Sequence, residues 1–477
     1  MRALLVSPDY ASHYLPLSAL GQALARRGHD VVVATGPALG ERVRADGFEH
    51  HELVLGPASN PGLARESGQP EGEAARLSAF LAATRAGMVA TLRQQAEARL
   101  RDLLWRPAAV TDRLAEIVAE VRPTLVVSDQ LAFGSTLALH ALEQPYVSFH
   151  PGHPSAIPGA GEVYGFPSHR PAEFRAGEQE LVELRRLCVD VSERFTREFN
   201  ATLRQLNPHA EPLVSALSAT SPLLTLVNYP TQLAGPRRAL LPASARFVGA
   251  SVRGTRELDR ELAGLLGATP ALPRIYVSLG TFLSARSDVL GRIVSAFRSL
   301  PVQLVVAAGV TPRAALGDVP EHWHIASYLP QPEVLRSCDL VLCHGGNNTV
   351  TEALWAGVPL LVSPFSTDQF AGAEDVRRAG LGDVFDPNAA APEEIADRAR
   401  GVLAGPAPRR AAALGLTLRE RLGPTYASRL VERASAAAHR SRPRTPAAAP
   451  ACSPSKARPT GAPSTACLQG GSAVTAR

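Results

Sequence analysis

Residues 328–369 read YLPQPEVLRSCDLVLCHGGNNTVTEALWAGVPLLVSPFSTDQ. The apolar run Leu340-Val341-Leu342-Cys343 has the character of a buried strand; it stops at His344-Gly345-Gly346, and a helix is expected from near Thr349 to Gly357-Val358-Pro359. The first backbone N–H groups of a helix have no partner inside it, and the helix dipole adds partial positive charge there. Such a junction suits an anion, above all a diphosphate. Gly345 and Gly346 let the backbone come close, His344 can donate from the strand end, and Asn348 and Thr349 add short polar donors. Taken alone, Thr349-x-x-Glu352 is also a capping box and Gly-Gly also a plain turn, so these features leave both readings open.

Upstream, Ile275-Tyr276-Val277-Ser278-Leu279-Gly280-Thr281 reads as another strand ending in small residues. A helix near Val289–Ser299 and a strand Gln303–Ala307 follow, and downstream come a helix Pro392–Leu403 and a largely helical Leu414–Ala438. The N-terminal half repeats the alternation. Ala3–Val6 is a strand, Ser7 to His13 a loop, Leu17–Arg27 a helix closed by Gly28, and Val31–Ala34 the next strand. This βαβ unit predicts a parallel sheet with right-handed crossovers, whose ligands gather at the carboxyl ends of the strands. His13 lies in that loop, and its near-neutral pKa suits a general base. Asp129 ends the strand Thr124–Ser128 at the same edge, where a carboxylate can orient a histidine or, equally, cap a helix. Glu71–Arg101 reads as one long helix and Leu114–Val121 as another; 150–180 is a Pro- and Gly-rich loop in which His150 and His153 are alternative bases. Leu181–Leu206 is an amphipathic helix, with strands expected at Leu223–Val227 and Phe247–Gly249.

The chain has 477 residues, enough for two domains with their own cores, and 45% hydrophobic residues to fill them. No apolar run approaches the 18 or so residues of a membrane span, and the N-terminus resembles a first strand more than a secretion signal. A cytoplasmic location without stable membrane insertion is expected. The net charge of +5 invites a nucleic-acid reading, but from Arg440 onward there are five arginines, one lysine and no acid, so the preceding residues carry one acid in excess. The positive charge therefore belongs to a solvated, Pro/Ala-rich tail, and no nucleic-acid partner is expected. The five cysteines lack metal-ligand spacing.

With these residues in hand, the 328–369 stretch resembles the donor-binding signature of the family 1, nucleotide-sugar-dependent glycosyltransferases, whose pattern runs approximately W-x-P-Q-x-x-x-L, H-x-G-x-N-[ST]-x-x-E, G-V-P and P-x-x-x-D-Q. Here its elements are Tyr328, Pro330, Gln331 and Leu335; His344, Gly346, Asn348, Thr349 and Glu352; Gly357, Val358 and Pro359; Pro364, Asp368 and Gln369. So many ordered matches over about forty residues make a specific signal. Ser12-His13-Tyr14-Leu15-Pro16 is similar to the family's G-H-x-x-P, with Ser12 for Gly, and Val277–Thr281 to its V-S-x-G-[ST].

The resemblance implies an α/β GT-B architecture of two Rossmann-like parallel-sheet domains facing a central cleft. Residues 1–249 would form the acceptor domain, 250–271 a linker, 272–413 the nucleotide-sugar domain, 414–438 helices crossing back to the first domain, and 439–477 a disordered tail. It further implies that Tyr328 stacks on the base and that Gln331 meets it, while Glu352 accepts from the ribose hydroxyls. The diphosphate would be held by His344, Asn348, Thr349 and the Gly345-Gly346 turn, and from the other side by Ser278, Gly280 and Thr281. Asp368 and Gln369 would take the sugar hydroxyls, with His13 as base and Asp129 as its partner. Tyr in place of Trp offers a smaller stacking surface, and the short gap from Gln331 to His344 is similar to that of bacterial natural-product enzymes.

The implied reaction is an inverting transfer of a hexose or deoxyhexose from a UDP- or dTDP-sugar to a hydroxyl of a small hydrophobic acceptor such as a polyketide or macrolide. The chain contains no D-x-D, so no metal and no cofactor beyond the donor are expected, and the protein would be a monomer or homodimer. Two competing readings are a sugar-nucleotide epimerase or hydrolase on the same fold, and a non-catalytic homologue serving as auxiliary partner of another enzyme.

Overall fold

The computed structural model describes residues 1–57, 59–60, 71–102, 104–253, 257–267, 269, 271–421 and 423–441. Seven strands, β1 (Arg2–Val6), β2 (Asp30–Thr35), β3 (Glu49–Glu52), β4 (Leu125–Asp129), β5 (Tyr146–His150), β6 (Thr225–Val227) and β7 (Ala245–Phe247), form one sheet in the order β3-β2-β1-β4-β5-β6-β7. Six more, β8 (Arg274–Ser278), β9 (Gln303–Ala307), β10 (His324–Ala326), β11 (Leu340–Cys343), β12 (Leu360–Val362) and β13 (Gly382–Val384), form a second in the order β10-β9-β8-β11-β12-β13. Every pairing is parallel. The fold is GT-B, two parallel-sheet α/β lobes facing a central cleft.

Parallel sheets are covered on both faces, which is why their strands are continuously apolar. In β1, Ala3 and Leu5 pack with Leu17, Leu20 and Leu24 on one face, and Leu4 and Val6 with Val110, Leu114 and Ile117 on the other. Likewise Tyr276 faces one core of the second sheet, while Ile275 and Val277 face the other. Each such Val or Leu contributes about 1.5–3 kcal/mol by leaving water.

Several local boundaries differ from the sequence reading. The first helix spans Ala11–Arg26, so His13 sits in its first turn and not in a loop. Pro16 lies inside that helix; its ring lacks the N–H that would bond the Ser12 carbonyl. The expected Glu71–Arg101 helix is two, Glu71–Ala86 and Met88–Asp102, because Gly87 between them takes φ +108°, outside the helical region. The 181–206 helix begins earlier, at Glu178. Within 250–271 lies a helix Arg260–Gly267 whose Leu262 and Leu266 are buried; residues 254–256, 268 and 270 lie outside the described residues.

At the C-terminus, Ala407–Arg421 forms one helix. The next, Gly423–Ser441, returns to the first lobe, where Ala427, Val431 and Ala434 join the core of Leu17, Leu20 and Leu24. This helix runs through His439 to Ser441, past the expected start of the tail; the rest of the tail, 442–477, lies outside the described residues. Glu432 fixes the helix against the first lobe by accepting from Arg27 at 2.7 and 2.8 Å and from His29 at 2.7 Å.

The returning helix starts against backbone. A Cβ on Gly423 would lie 2.7 Å from the Val248 carbonyl oxygen and closer still to that of Ala250. Gly423→Ala should therefore lower stability in urea unfolding by about 1–3 kcal/mol through overpacking. Gly401→Ala, in the interior of the Pro392–Ala404 helix with open space around it, should be neutral or raise stability by about 0.5–1 kcal/mol.

Candidate active site

The two sheets reverse their winding at corresponding places, between β1 and β4 in the first and between β8 and β11 in the second. Crevices open at the carboxyl ends of strands where such a reversal occurs. Both crevices open into one cavity of about 580 Å³ between the lobes, lined by His13 and its neighbours on one side and by Ser278, His344 and the start of the Asn347–Ala356 helix on the other.

On the first lobe, Val6 pairs with Ser128, which sets the residues after β1 beside the end of β4. His13 Nδ1 lies 2.9 Å from Asp129 Oδ2, and Asp129 is fully buried. The other carboxylate oxygen accepts from the Leu131 N–H at 2.8 Å, so Asp129 both orients the histidine and ties its own turn. Burial alone would push the imidazole pKa down. The charge and hydrogen bond of Asp129, aided by Asp368, outweigh it and hold His13 above its ordinary value. With Nδ1 bound to the carboxylate, Nε2 is the ring nitrogen left for the cavity.

His150 and His153 are otherwise engaged. His150 is buried between Gln130 Oε1, 3.1 Å from its Nδ1, and the His153 carbonyl, 2.9 Å from its Nε2. His153 Nδ1 accepts from the Ser155 N–H at 3.1 Å, and its Nε2 donates to Asp375 Oδ2 at 3.0 Å. Neither ring lines the cavity.

On the second lobe, Cys343 pairs with Ser278, placing the turn after β11 beside that after β8. The helix begins at Asn347, two residues before the expected Thr349, with Gly346 as N-cap and no side-chain cap. No capping box forms: Glu352 accepts instead from Gln331 Nε2 at 2.6 Å, and the Gln331 oxygen accepts from the Tyr276 hydroxyl at 3.1 Å. The Gln331 side chain, expected to meet a base, thus fixes the carboxylate of Glu352. Burial raises Glu352 to about 7 despite the Gln331 bond. His344 is pushed down to about 4, chiefly by burial, and is neutral at pH 7; its Nδ1 is buried without a partner. Gly345 takes φ +82° and Gly280 φ +72°, conformations that favour glycine. Ser278, Gly280, Thr281 and Thr349 line the cavity, and Tyr328 stands 61% exposed at its rim.

Asp368 and Gln369 are more committed than the sequence suggests. Asp368 accepts from the His153 N–H at 2.8 Å and from Thr367 Oγ1 at 2.8 Å. The Gln369 oxygen accepts from the N–H groups of Phe365 and Ser366 at 3.0 and 3.2 Å, so it ties the loop and leaves only the amide nitrogen for a ligand.

The sequence reading missed the ties between the lobes. Asn347 Nδ2 donates to the carbonyls of Pro151 at 2.6 Å and Asn228 at 2.8 Å. Asn348 Nδ2 donates at 2.7 Å to the Ser12 carbonyl, the group that Pro16 leaves without a helical donor. Asp375 is the centre of a buried knot: it accepts from His153, from His169 at 2.7 Å and from Tyr229 at 2.9 Å, and also from Arg378. Its histidine bonds overcome burial and hold it well below the carboxylate range. Arg253, lining the cavity on the linker side near Glu352, was likewise not anticipated.

Comparison with known proteins bears on the fold and on the sequence relationship. Residues 292–422 match the family described as Erythromycin biosynthesis protein CIII-like, C-terminal domain. The zeaxanthin glucosyltransferase of Pseudescherichia vulneris is 27% identical over 406 residues, 79% of this chain and 84% of that one. The chain is thus similar to a known glycosyltransferase over most of its length. The NDP-glycosyltransferase YjiC of Bacillus licheniformis is 32% identical, but over 142 residues, 30% of this chain and about a third (35%) of the relative. Two solved structures share this GT-B fold across nearly the whole chain. Glycosyltransferase VinC in complex with dTDP has a TM-score of 0.64 at 20% identity, with 92% of this chain and 100% of that one covered. The kitacinnamycin glycosyltransferase has 0.63 at 22% identity, with 91% and 98% covered.

Asn347→Ala would leave two carbonyls of the opposite lobe without their donor. It should reduce stability by about 1–3 kcal/mol in denaturant unfolding, and hydrogen exchange should report looser packing around Pro151 and Asn228.

Proposed function

We propose that the chain is an inverting glycosyltransferase that moves a hexose or deoxyhexose from a UDP- or dTDP-sugar to a hydroxyl of a small hydrophobic acceptor, with His13 as general base. The observation that carries the reading is the facing arrangement of a buried His13–Asp129 pair and an uncapped helix start across a single cavity. In this reading His13 Nε2 takes the acceptor proton as the oxygen attacks the anomeric carbon, and Asp129 stabilises the imidazolium. The bond to the nucleoside diphosphate breaks on the opposite face. Its developing charge falls to the free N–H groups at the Asn347 helix start, to the Asn348 and Thr349 side chains, and to Ser278, Gly280 and Thr281. His344, neutral at pH 7, contributes a hydrogen bond and no net charge. Glu352, held by Gln331, accepts from the ribose hydroxyls, and Tyr328 at the rim covers the base.

Two solved structures of the same fold support a nucleotide and an aglycone as ligands: VinC was solved with dTDP, and the spinosyn rhamnosyltransferase SpnG with spinosyn aglycone. In this reading no metal takes part in the reaction, residues 1–249 form the acceptor domain and 272–413 the donor domain. Among the described residues no helix is long and apolar enough to cross a membrane.

The test is a thermal-shift screen of UDP- and dTDP-sugars followed by product detection with hydroxylated aglycones. His13→Ala should lower kcat by roughly 100- to 10,000-fold while donor-induced stabilisation persists; unchanged transfer would remove His13 from the role. Because the base must be neutral and its folded pKa is raised, kcat/KM should fall as pH drops through a value above 6.5, and Asp129→Asn should move that limb to lower pH while reducing kcat. Nucleoside diphosphate affinity, measured by calorimetry, should weaken as Glu352 takes a proton below about 7. Glu352→Gln should remove that dependence and weaken binding about 10- to 100-fold, as loss of a charged hydrogen-bond partner implies.

A further inference from the structure

The acceptor side of the cavity is mostly apolar, with Leu15, Leu39, Phe80, Leu131 and Phe166 on its walls. Arg99, from the Met88–Asp102 helix, is the exception. The other arginine on this wall, Arg42, has Asp46 at 3.5 Å. Among the described residues Arg99 has no carboxylate within ion-pair distance and no hydrogen-bond partner for its guanidinium, which lies over the ring of Tyr164, 4.8 Å from the centroid. A partly buried guanidinium with its N–H donors unspent is costly to desolvate unless a ligand supplies acceptors.

Its surroundings are built to hold it in place. Gly165 takes φ +84°, and a Cβ there would occupy the position of Arg99 Nη1, so the glycine is the space in which the guanidinium lies. Tyr164 is braced in turn: its ring stands edge-on to Phe133 at 6.3 Å and 81°, and Phe133 packs edge-on to Phe195 at 5.4 Å. The Tyr164 hydroxyl has no partner among the described residues and faces the same cavity. Arg99 and Tyr164 line the same cavity as His13 and Asp368, the base and the sugar side of the site in the reading above. A planar fork of N–H donors held over an aromatic face, on a tyrosine whose hydroxyl is also without a partner among the described residues, matches a carboxylate.

We propose that Arg99 and Tyr164 form a subsite for a carboxylate on the acceptor, so that the acceptor is an apolar hydroxy acid whose acidic group is anchored while its hydroxyl meets His13. The proposal rests on the glycosyl-transfer reading above. The apolar walls take the body of the molecule, and Arg99 fixes which end enters first.

The probes are 6-hydroxy-2-naphthoic acid, its methyl ester and its carboxamide, titrated by calorimetry into the full chain saturated with UDP or dTDP, and then assayed for transfer. The acid should bind about tenfold or more tightly than either neutral analogue, as a charge-assisted pair requires. Arg99→Met, which keeps the length of the side chain and removes the charge, should erase that preference by weakening the acid alone. Ester binding and nucleotide binding should stay within about twofold, and Arg99→Lys should restore part of the preference. Equal binding of acid and ester by the unsubstituted protein overturns the subsite without recourse to any variant, as does a preference that survives in Arg99→Met. Failure to bind any nucleotide would overturn instead the glycosyl-transfer reading on which the subsite rests.

Discussion

Two strand pairings, β1 with β4 and β8 with β11, determine where chemistry can occur in this molecule. In each sheet the chain winds outward in one direction from the first strand and then returns to continue in the other, so the loops leaving those two strands diverge and leave a crevice between them. His13 and Asp129 flank one crevice, Ser278 and the His344-Gly345-Gly346 turn the other. The same topological event occurs twice, and the lobes are oriented so that the two crevices share one cavity. One supplies a histidine buttressed by a buried carboxylate, and the other supplies unpaired backbone donors. Neither half contains both.

Polar ties join the halves beside a shared apolar core in which Phe174 packs on Phe370. The Asn347 and Asn348 side chains reach from the start of the anion-suited helix to carbonyls of the opposite lobe, and His153 touches Asp368 through its backbone and Asp375 through its ring. Farther out, Thr84 receives Arg286 and Asn388 from the second lobe. The residues that shape the donor side of the cavity are therefore also the residues that close it. Pro16 has a part in this: by withholding an N–H from the first helix it leaves the Ser12 carbonyl available to Asn348. A residue that reads as a local irregularity is thus tied to a contact between Ser12 and Asn348, 336 positions apart.

The sheets were legible because buried parallel strands are written as short continuous apolar runs, and the glycine turns because only a few residues tolerate their backbone angles. The proximity of His13 and Asp129 was also legible, since both lie at carboxyl ends of strands of one sheet. Three things were not. The first helix was read as starting at Leu17, where the apolar residues fall at helical spacing, whereas the turns before it are already helical. The break at Gly87 was hidden because the polar and apolar residues on either side carry on the helical pattern. The ties of Asn347, His153 and Asp375 were invisible because they join residues some 120 to 220 positions apart, and no local periodicity encodes them. The commitments of Gln331 and Gln369 to Glu352 and to the loop before the Gln369–Arg378 helix escaped for the same reason. A motif records which residue type is present and not which neighbour has already taken its hydrogen bonds.

The Gly423–Ser441 helix gives the first lobe a dependence on a segment synthesised after the whole of the second sheet. Its Ala427, Val431 and Ala434 complete the apolar layer over Leu17, Leu20 and Leu24. A nascent chain emerging from the ribosome therefore carries a first lobe with one face uncovered throughout translation of the second. That face is closed only when some four hundred later residues have followed the helix it must cover, so the N-terminal lobe is the first to be made and the last to be finished.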